Sequence, residues 1–458
     1  MTDEEANRFS ARAARYARVG ANVGGVAARM GVRRLTGRSE TGGNANAAAL
    51  AVALGGLKGP LMKVAQLLST IPDLLPPEYA AELSQLQSNA PPMGAAFVKR
   101  RMQAELGPQW QDRFASFDLT PAAAASLGQV HRAVAKDGAR LACKLQYPDM
   151  ASAVEADLSQ LQLLFALHRR MDPAIDTREV AQEIGERVRE ELDYRREAKH
   201  AALYALMLAD TPEVRVPGVH GALSTGRLLT MDWLDGEPLL TFKGHTQEVR
   251  DAIGVAMFKA WWLPFSRYGV IHGDPHLGNY AVFGGGEGIN LLDYGCIRVF
   301  PPKFVGGVVD LYEGLKGGDE ARVVHAYETW GFKNLKRDLI EVLNIWARFI
   351  YGPLLEDRAR TIADGVAPGS YGRREAFHVH QELKKKGPVR VPREFVFMDR
   401  AAVGLGGVFL HLDARLNYFR LFNEALGAFD LGALEARQAQ ALAQTGLVSS
   451  TTATGVRS

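Results

Sequence analysis

A chain of 458 residues, 47% hydrophobic and 23% charged, is long enough to bury a sizeable core, as one large or two to three smaller globular units. Its formal net charge of +3 is too small to mark a nucleic-acid binder, and no stretch approaches 18 uninterrupted apolar residues, so no membrane-spanning helix is expected. Two cysteines without paired spacing point to a reducing compartment and to no structural zinc.

Residues 1–45 form a basic leader, with eight arginines and no acid between Arg8 and Arg38 and a loop from Thr41 to Asn46. Three readings stand for it: a basic amphipathic helix on anionic lipid, a transit-like leader, or an exposed helix of an alanine-rich bacterial protein. Residues 46–115 read as helices: Ala47 to Leu57, a helix holding Lys63-Val64-Ala65-Gln66, and a run after Pro76-Pro77 that breaks at Pro91-Pro92.

Residues 116–235 mix strands and helices. A loop is expected at Pro121-Ala122-Ala123-Ala124-Ala125-Ser126-Leu127-Gly128, then a strand from Arg132 to Ala135, a turn at Lys136-Asp137-Gly138 and a strand from Arg140 to Gln146 that carries Lys144. This is the order of a phosphate-covering loop and its lysine, with alanine where glycine would stand. A Cβ disfavours positive φ, so the loop should be stiffer than a glycine-rich one. A lysine in a strand more often just faces solvent; here its place after the loop suggests a hold on the α and β phosphates. Cys143 beside it and Cys296 beside the later Asp293-Tyr294-Gly295 stand either near the nucleotide or, as is commoner, as small buried packing residues.

Long helices follow at about 151–171 and 178–208. Glu191 and Glu197 are six apart in the second, and at about 100° per residue they point to different sides and do not share one lysine. A solvated face with i,i+4 pairs among Glu190, Glu191, Arg195 and Arg196 competes with any functional role. A strand, Leu228 to Asp232, closes the region. Met231, Asp232, Trp233 and Leu234 then stand where a hinge would offer backbone groups to adenine.

Residues 236–440 are mostly helical but contain His272-Gly273-Asp274-Pro275-His276-Leu277-Gly278-Asn279 and, fourteen residues beyond Asn279, Asp293-Tyr294-Gly295. Asp274 and Asn279 are five apart, the separation of the Asp and Asn in the H-R-D-x-x-x-x-N loop. Phosphoryl transfer asks the protein for a carboxylate that positions the nucleophile, oxygen ligands for magnesium and a cation on the phosphates. Asp274, then Asn279 with Asp293, then Lys144 fill these parts. Asp293 is delivered by the apolar run Ile289-Asn290-Leu291-Leu292. Either motif alone reads as an ordinary turn; together, with the lysine upstream, they read as a site for ATP and Mg2+. Residues 441–458 are rich in Ser, Thr and Gly and are expected to be disordered.

The alanine-rich loop, HGDPHLGN, DYG, Glu191-Leu192-Asp193-Tyr194-Arg195-Arg196-Glu197-Ala198 and Lys63-Val64-Ala65-Gln66 together resemble the AarF/UbiB family of atypical kinases. The resemblance covers roughly residues 15 to 430 and rests on agreement among independent features. Leu145-Gln146-Tyr147-Pro148 and the segment Asp399 to Gly407 resemble the coenzyme Q (ubiquinone) biosynthesis branch.

The resemblance implies an α+β, atypical protein-kinase-like fold: a small mixed N-lobe, a mostly helical C-lobe and a helical N-terminal extension packed over the active site. It implies ATP hydrolysis or phosphoryl transfer in support of ubiquinone synthesis, with little ordinary protein-kinase activity. The family's K-x-G-Q motif would fall on Lys63 and Gln66, with Ala65 in place of glycine, and its E-x-D motif on Glu191 and Asp193. Either Glu191 or Glu197 serves as partner of Lys144, and spacing does not choose. Anionic lipid, quinone precursors and quinone-biosynthesis proteins are the implied partners, a homodimer is consistent with the family, and nucleic acid is not expected. The expected place is the cytoplasm, peripheral to the inner face of a bacterial membrane, or the mitochondrion of a eukaryote. Two other readings compete. A small-molecule phosphotransferase of the aminoglycoside or choline kinase type is disfavoured by the alanine loop and the Lys63–Gln66 helix; a nucleotide-binding scaffold without turnover is disfavoured by the full set of catalytic residue types.

Overall fold

The computed structural model describes residues 93–447, apart from 126, 156–157, 160–184, 187, 334, 368–370, 373–374, 376–377, 380 and 383–392. The expectations for Lys63, Gln66 and Ser126, for the leader, for the helix at 151–171 beyond its first turns and for the tail fall outside these residues. The chain divides into two compact units: Met1–Tyr194 with Ala222–Thr230, and Arg195–Gly221 with Met231–Ser458.

The first unit is built on a four-stranded sheet in the order β1-β2-β3-β5, formed by β1 (Phe114–Ala125), β2 (Gly128–Ala135), β3 (Arg140–Gln146) and β5 (Leu228–Asp232). Helix α1 (Ala95–Leu106) buries Val98 and Met102 with Leu141, Cys143, Leu145 and Leu228, and Trp110 stands edge-on to Phe114 and Phe117 at the margin of that core. Glu105 of α1 is almost fully buried because it accepts from Thr225 Oγ1 at 2.6 Å and from Arg227 Nε at 2.9 Å, which ties the helix to the approach to β5. The β2–β3 turn forms where Lys136-Asp137-Gly138 predicts it. Gly138 takes φ +90°, and Ala135 and Ala139 close the hairpin at 2.8 Å.

Two expectations are corrected here. The alanine segment is not a loop: Ala123, Ala124 and Ala125 pair with Val130, Gln129 and Gly128, so strand β1 runs to Ala125. Ala122, Ala123 and Ala124 are exposed, and the close approach lies beside them, between β2 and β3. A Cβ on Gly128 would stand 2.3 Å from the carbonyl oxygen of Leu145 and 3.0 Å from the Tyr194 hydroxyl. The helix expected over 178–208 is also interrupted. Residues 191–193 are a turn, and helix α2 (Tyr194–Met207) starts afresh. Gln146 Nε2 donates to the Leu192 carbonyl at 3.1 Å and the Tyr194 N–H donates to Gly226 O at 3.2 Å, so the backbone here is held by β3 and the approach to β5 rather than by a helical ladder. Glu191 and Glu197 therefore do not share one continuous helix, and their directions are not set by a rotation of about 100° per residue.

The second unit has α3 (Gln247–Tyr268) at its centre. Ile253, Ala256, Met257, Phe258, Ala260, Trp261 and Phe265 are all buried, on more than one face, as a helix enclosed by neighbours requires. Around it lie β4 (Val214–Arg215), β6 (Glu237–Pro238), β8 (Tyr280–Phe283) and β9 (Gly288–Leu291) in one sheet of order β4-β9-β8-β6, and the antiparallel pair β7 (Val270–His272) and β10 (Ile297–Val299). Helices α4 (Pro302–Gly317), α5 (Glu320–Thr329), α6 (Arg337–Tyr351), α7 (Arg393–Leu412), α8 (Tyr418–Leu426) and α9 (Leu431–Gln444) complete it. Asp319, Asn417 and Asp430 cap α5, α8 and α9 by accepting from Arg322, Arg420 and Ala433 N–H groups. Gly269, in the left-handed region at φ +63°, ends α3 and turns the chain directly into β7.

Candidate active site

In the first unit, Lys144 is only 6% exposed, so the solvent-facing alternative for this strand lysine is overturned. Its strand is buried on both faces around it, by Cys143, Leu145 and Gln146, and its Nζ lies 5.3 Å from the centroid of the Tyr194 ring. Burial pushes the Cys143 thiol up to about 12 against the weak opposing hydrogen bond from Thr230, so this sulfur is an inert packing group. Glu191 is 8% exposed and Asp193 is exposed.

In the second unit, α2 carries Glu197, His200, Ala201 and Tyr204 on one face, at the i, i+3, i+4, i+7 spacing of a buried stripe. Glu197 is 3% exposed; the solvated-face alternative fails for Glu191, which is buried, while Glu190 and Arg196 are half-buried and Arg195 is exposed. Its Oε1 accepts from the Tyr294 N–H at 3.4 Å, while His200 Nδ1 donates to the Tyr294 carbonyl at 3.1 Å. One helical face thus grips Tyr294 by both of its main-chain polar groups. The Tyr294 hydroxyl donates to Leu291 O at 2.9 Å, and burial holds it and Tyr204 well above the ordinary phenol range.

The catalytic-loop candidate begins at His272, the last residue of β7, which pairs with Ile297 of β10. Its carbonyl accepts from the Trp261 indole at 2.9 Å, and the two rings lie 5.2 Å apart. His272 Nδ1 accepts from the Asp274 N–H at 3.2 Å, which leaves Nε2 to carry the proton and donate to the Asp293 carbonyl at 2.8 Å. A single buried imidazole thereby joins the backbone of Asp274 to that of Asp293.

Asn279 is fixed from two sides. Its Nδ2 donates to the Asp274 carbonyl at 3.0 Å, and its own carbonyl accepts from Leu292 N–H at 3.0 Å. The second bond follows from the β8–β9 hairpin, whose register pairs Tyr280 with Leu291 and Phe283 with Gly288. Residues separated by fourteen positions are thus neighbours at the open end of one hairpin. Asp293 Oδ1 accepts from Gly295 N–H at 3.0 Å, which orients the carboxylate.

The donor set fits magnesium. The amide nitrogen of Asn279 is spent on Asp274, so Oδ1 is the atom able to ligate; with the Asp293 carboxylate it supplies the few hard oxygens that Mg2+ takes from a protein when phosphates and waters complete its shell. Among the described residues no group of three or more His, Cys, Asp or Glu could hold a metal on its own.

At the hinge candidate, the Asp232 N–H donates to Gly218 O at 2.9 Å, and its carboxylate accepts from Gly218 N–H and His220 Nε2, each at 2.8 Å. Trp233 Nε1 donates to Asp235 Oδ1 at 3.1 Å, Met231 bridges to Val219, and Asn290 of β9 donates to Asp235 O at 2.9 Å. Leu234 lies between these anchored points.

The roles of His272 and His200 are not visible in the motif alone. His272 stands in HGD by position but gives no sign of reaching Asp293, and His200 is signalled only by lying three residues beyond Glu197.

The ABC1 atypical kinase-like domain matches residues 85–327. The chain is 29% identical over 348 residues to the mitochondrial atypical kinase COQ8B of Rattus norvegicus, covering 70% of this chain and 66% of that one. It is 28% identical over 388 residues to the chloroplastic protein Activity of bc1 complex kinase 8 of Arabidopsis thaliana, covering 78% and 51%, and 29% identical to the mitochondrial atypical kinase COQ8 of Saccharomyces cerevisiae, covering 54% and 50%. The chain therefore spans between half and two thirds of the length of these relatives. Among solved structures, a Mycobacterium tuberculosis protein determined in complex with erythromycin is 28% identical with a TM-score of 0.57, covering 82% of this chain and 94% of that one. No helix among the described residues is long and apolar enough to cross a membrane.

Proposed function

Because the chain belongs to the ABC1 atypical kinase-like family, whose domain occupies 243 of its 458 residues (327 − 85 + 1), we propose that it binds magnesium ATP and catalyses hydrolysis or phosphoryl transfer at Asp274. The observation that carries this reading is the closed set of bonds from Asp274 through Asn279 to Leu292 and through His272 to Asp293. It ties the main chain of Asp274 to the Asn279 side chain and to the main chain of Asp293, which supports a reading in which these three residues act together on one phosphoryl group.

In this reading Asp274 orients the attacking oxygen and receives its proton, and Asn279 with Asp293 holds the metal. Lys144, the alanine-rich hairpin at Ala122, Ala123, Ala124, Ala125 and Ser126, and the segment Met231–Leu234 hold phosphates and adenine, on the strength of their order in the chain. Lys63, Gln66, Glu191 and Asp193 regulate the site, and Glu197 does so by holding Tyr294. Magnesium, when bound, offsets the charge that gathers on the transferred phosphate.

The finer reading is an ATPase that supports ubiquinone biosynthesis, at the membrane surface or with quinone-pathway proteins. It draws support from the likeness to mitochondrial COQ8B and COQ8. The test is Mg2+-dependent ATP turnover by the protein and by Asp293→Asn, with and without anionic liposomes and a phenolic quinone-precursor mimic. Turnover that rises with lipid or phenol and vanishes in the variant is expected; nucleotide binding without turnover under every condition would leave a scaffold in its place.

A further inference from the structure

A chain of hydrogen bonds runs through the interior of the first unit, from the start of α1 to β1. The Met93 N–H donates to Gln129 Oε1 at 2.7 Å, and Gln129 Nε2 donates back to the Met93 carbonyl at 3.3 Å. The same Nε2 lies 2.9 Å from His131 Nε2, and His131 Nδ1 lies 2.8 Å from the Asp118 carbonyl. Gln129 and His131 are 1% and 0% exposed, so water does not compete for these groups.

Both ends of the chain are main-chain groups of fixed polarity, and they determine every proton between. The Asp118 carbonyl can only accept, so His131 Nδ1 carries the hydrogen. The Met93 N–H can only donate, so the oxygen of Gln129 must face it and the amide cannot be flipped. Gln129 therefore offers an N–H to His131 Nε2, which must be bare.

These residues lie at the foot of the alanine-rich hairpin. Gln129 pairs across the hairpin with Ala124, and His131 with Pro121; the His131 ring stacks on Phe117 with centroids 5.3 Å apart. We infer that Gln129 and His131 are positioning residues that hold the alanine-rich hairpin in shape for the nucleotide phosphates, and that His131 does so only as the neutral Nδ1–H imidazole. The inference rests on the nucleotide-site reading above.

A proton added at Nε2 would face the Gln129 NH2 group, donor against donor. Gln129 would then have to release either the ring or Met93. Of the groups around the ring, burial holds His131 below the ordinary imidazole range, and Asp118 on β1 opposes this through its carbonyl and its charge. Cys143, directly across on β3, stays un-ionised with its thiol pushed up to about 12. From the approach to α1, among the described residues, main-chain groups of Met93 reach the amide. A histidine lowered on folding contributes stability that is complete above about pH 6.5 and is lost as pH falls below it.

The experiment measures affinity for a non-hydrolysable ATP analogue with Mg2+ between pH 8 and pH 5, in the wild type, His131→Gln and Gln129→Glu. The wild type should lose at least about threefold in affinity between pH 7.5 and 5.5, and His131→Gln should be weaker but flat. Gln129→Glu, which can accept from an imidazolium, should hold its affinity to lower pH than the wild type. Parallel profiles for all three would overturn the inference. In parallel, the ring nitrogens of His131 are read by 15N NMR in the nucleotide-free wild type at pH 7.5. The Nδ1–H form is expected, and the Nε2–H form would overturn it. If the wild type binds no nucleotide at pH 8, the nucleotide reading fails, while the NMR result and the pH dependence of amide exchange at residues 121–131 still decide whether the latch exists.

Discussion

The side-chain amide of Asn279 donates to the main-chain carbonyl of Asp274 at 3.0 Å, so the residue proposed to ligate magnesium also braces the residue proposed to orient the nucleophile. Asn279→Ala removes both functions. Turnover should fall by about two orders of magnitude, the scale on which small misplacements act at a reacting centre. Metal-free nucleotide affinity should change little. A Mg2+ titration of both quantities checks this, and equal losses with and without metal would show that Asn279 only shapes the loop.

Glu197 and His200 bracket Tyr294, and the glutamate's contribution can be divided into shape and charge. Glu197→Gln keeps an acceptor for the Tyr294 N–H and should leave stability nearly unchanged. Glu197→Ala leaves that buried N–H unpaired and should cost about 1–3 kcal/mol. Urea unfolding of the two variants tests the difference; equal destabilisation would assign the effect to lost charge instead.

Gly128→Ala introduces a Cβ 2.3 Å from the Leu145 carbonyl, a main-chain atom that cannot swing aside. The expected loss is about 1–3 kcal/mol, as for other overpacked interiors. Ala124→Gly, two residues before the turn, should cost less than this and loosen the hairpin. Thermal unfolding and amide exchange across residues 121–131 measure both.

Burial raises the Cys143 thiol to about 12, whereas an unfolded cysteine titrates near 8.5. The folded state therefore holds this proton longer than the unfolded one, and its share of stability is complete below about pH 8.5 and is lost as pH rises from there toward 12. Iodoacetamide at pH 8 should leave the Cys143 peptide unlabelled in the native protein and label it after denaturation, as mass spectrometry would read. Rapid native labelling would contradict the burial described for this strand.

What the sequence shows and what it hides divide along physical lines. The strand Arg140–Gln146, the turn before it and the strand Leu228–Asp232 are written in local pattern, and the structure reproduces them at the expected residues. The separation of Asp274 and Asn279 is also local, since one short loop spans them. The break before α2 is not local: Gln146 and Gly226, 46 and 32 positions from the residues they hold, take Leu192 and Tyr194 out of the helical ladder. The same holds for His272 and Asp293, joined across 21 positions, and for the extent of β1, where alanines that read as loop are drawn into a strand by their pairing with β2.

The β8–β9 hairpin turns through Gly284, Gly285 and Gly286, all at positive φ, and carries Asn279 and Asp293 just outside its open end. The ladder between Tyr280 and Leu291 acts as a ruler that is read at one end and can be lengthened at the other. Residues inserted at the glycine tip would change the count between Asn279 and Asp293, the two proposed ligands, without moving either. A search for kindred sites by fixed spacing would then miss true members, whereas one that asks for a ladder pair between the residue after the Asn and the residue two before the Asp would retain them.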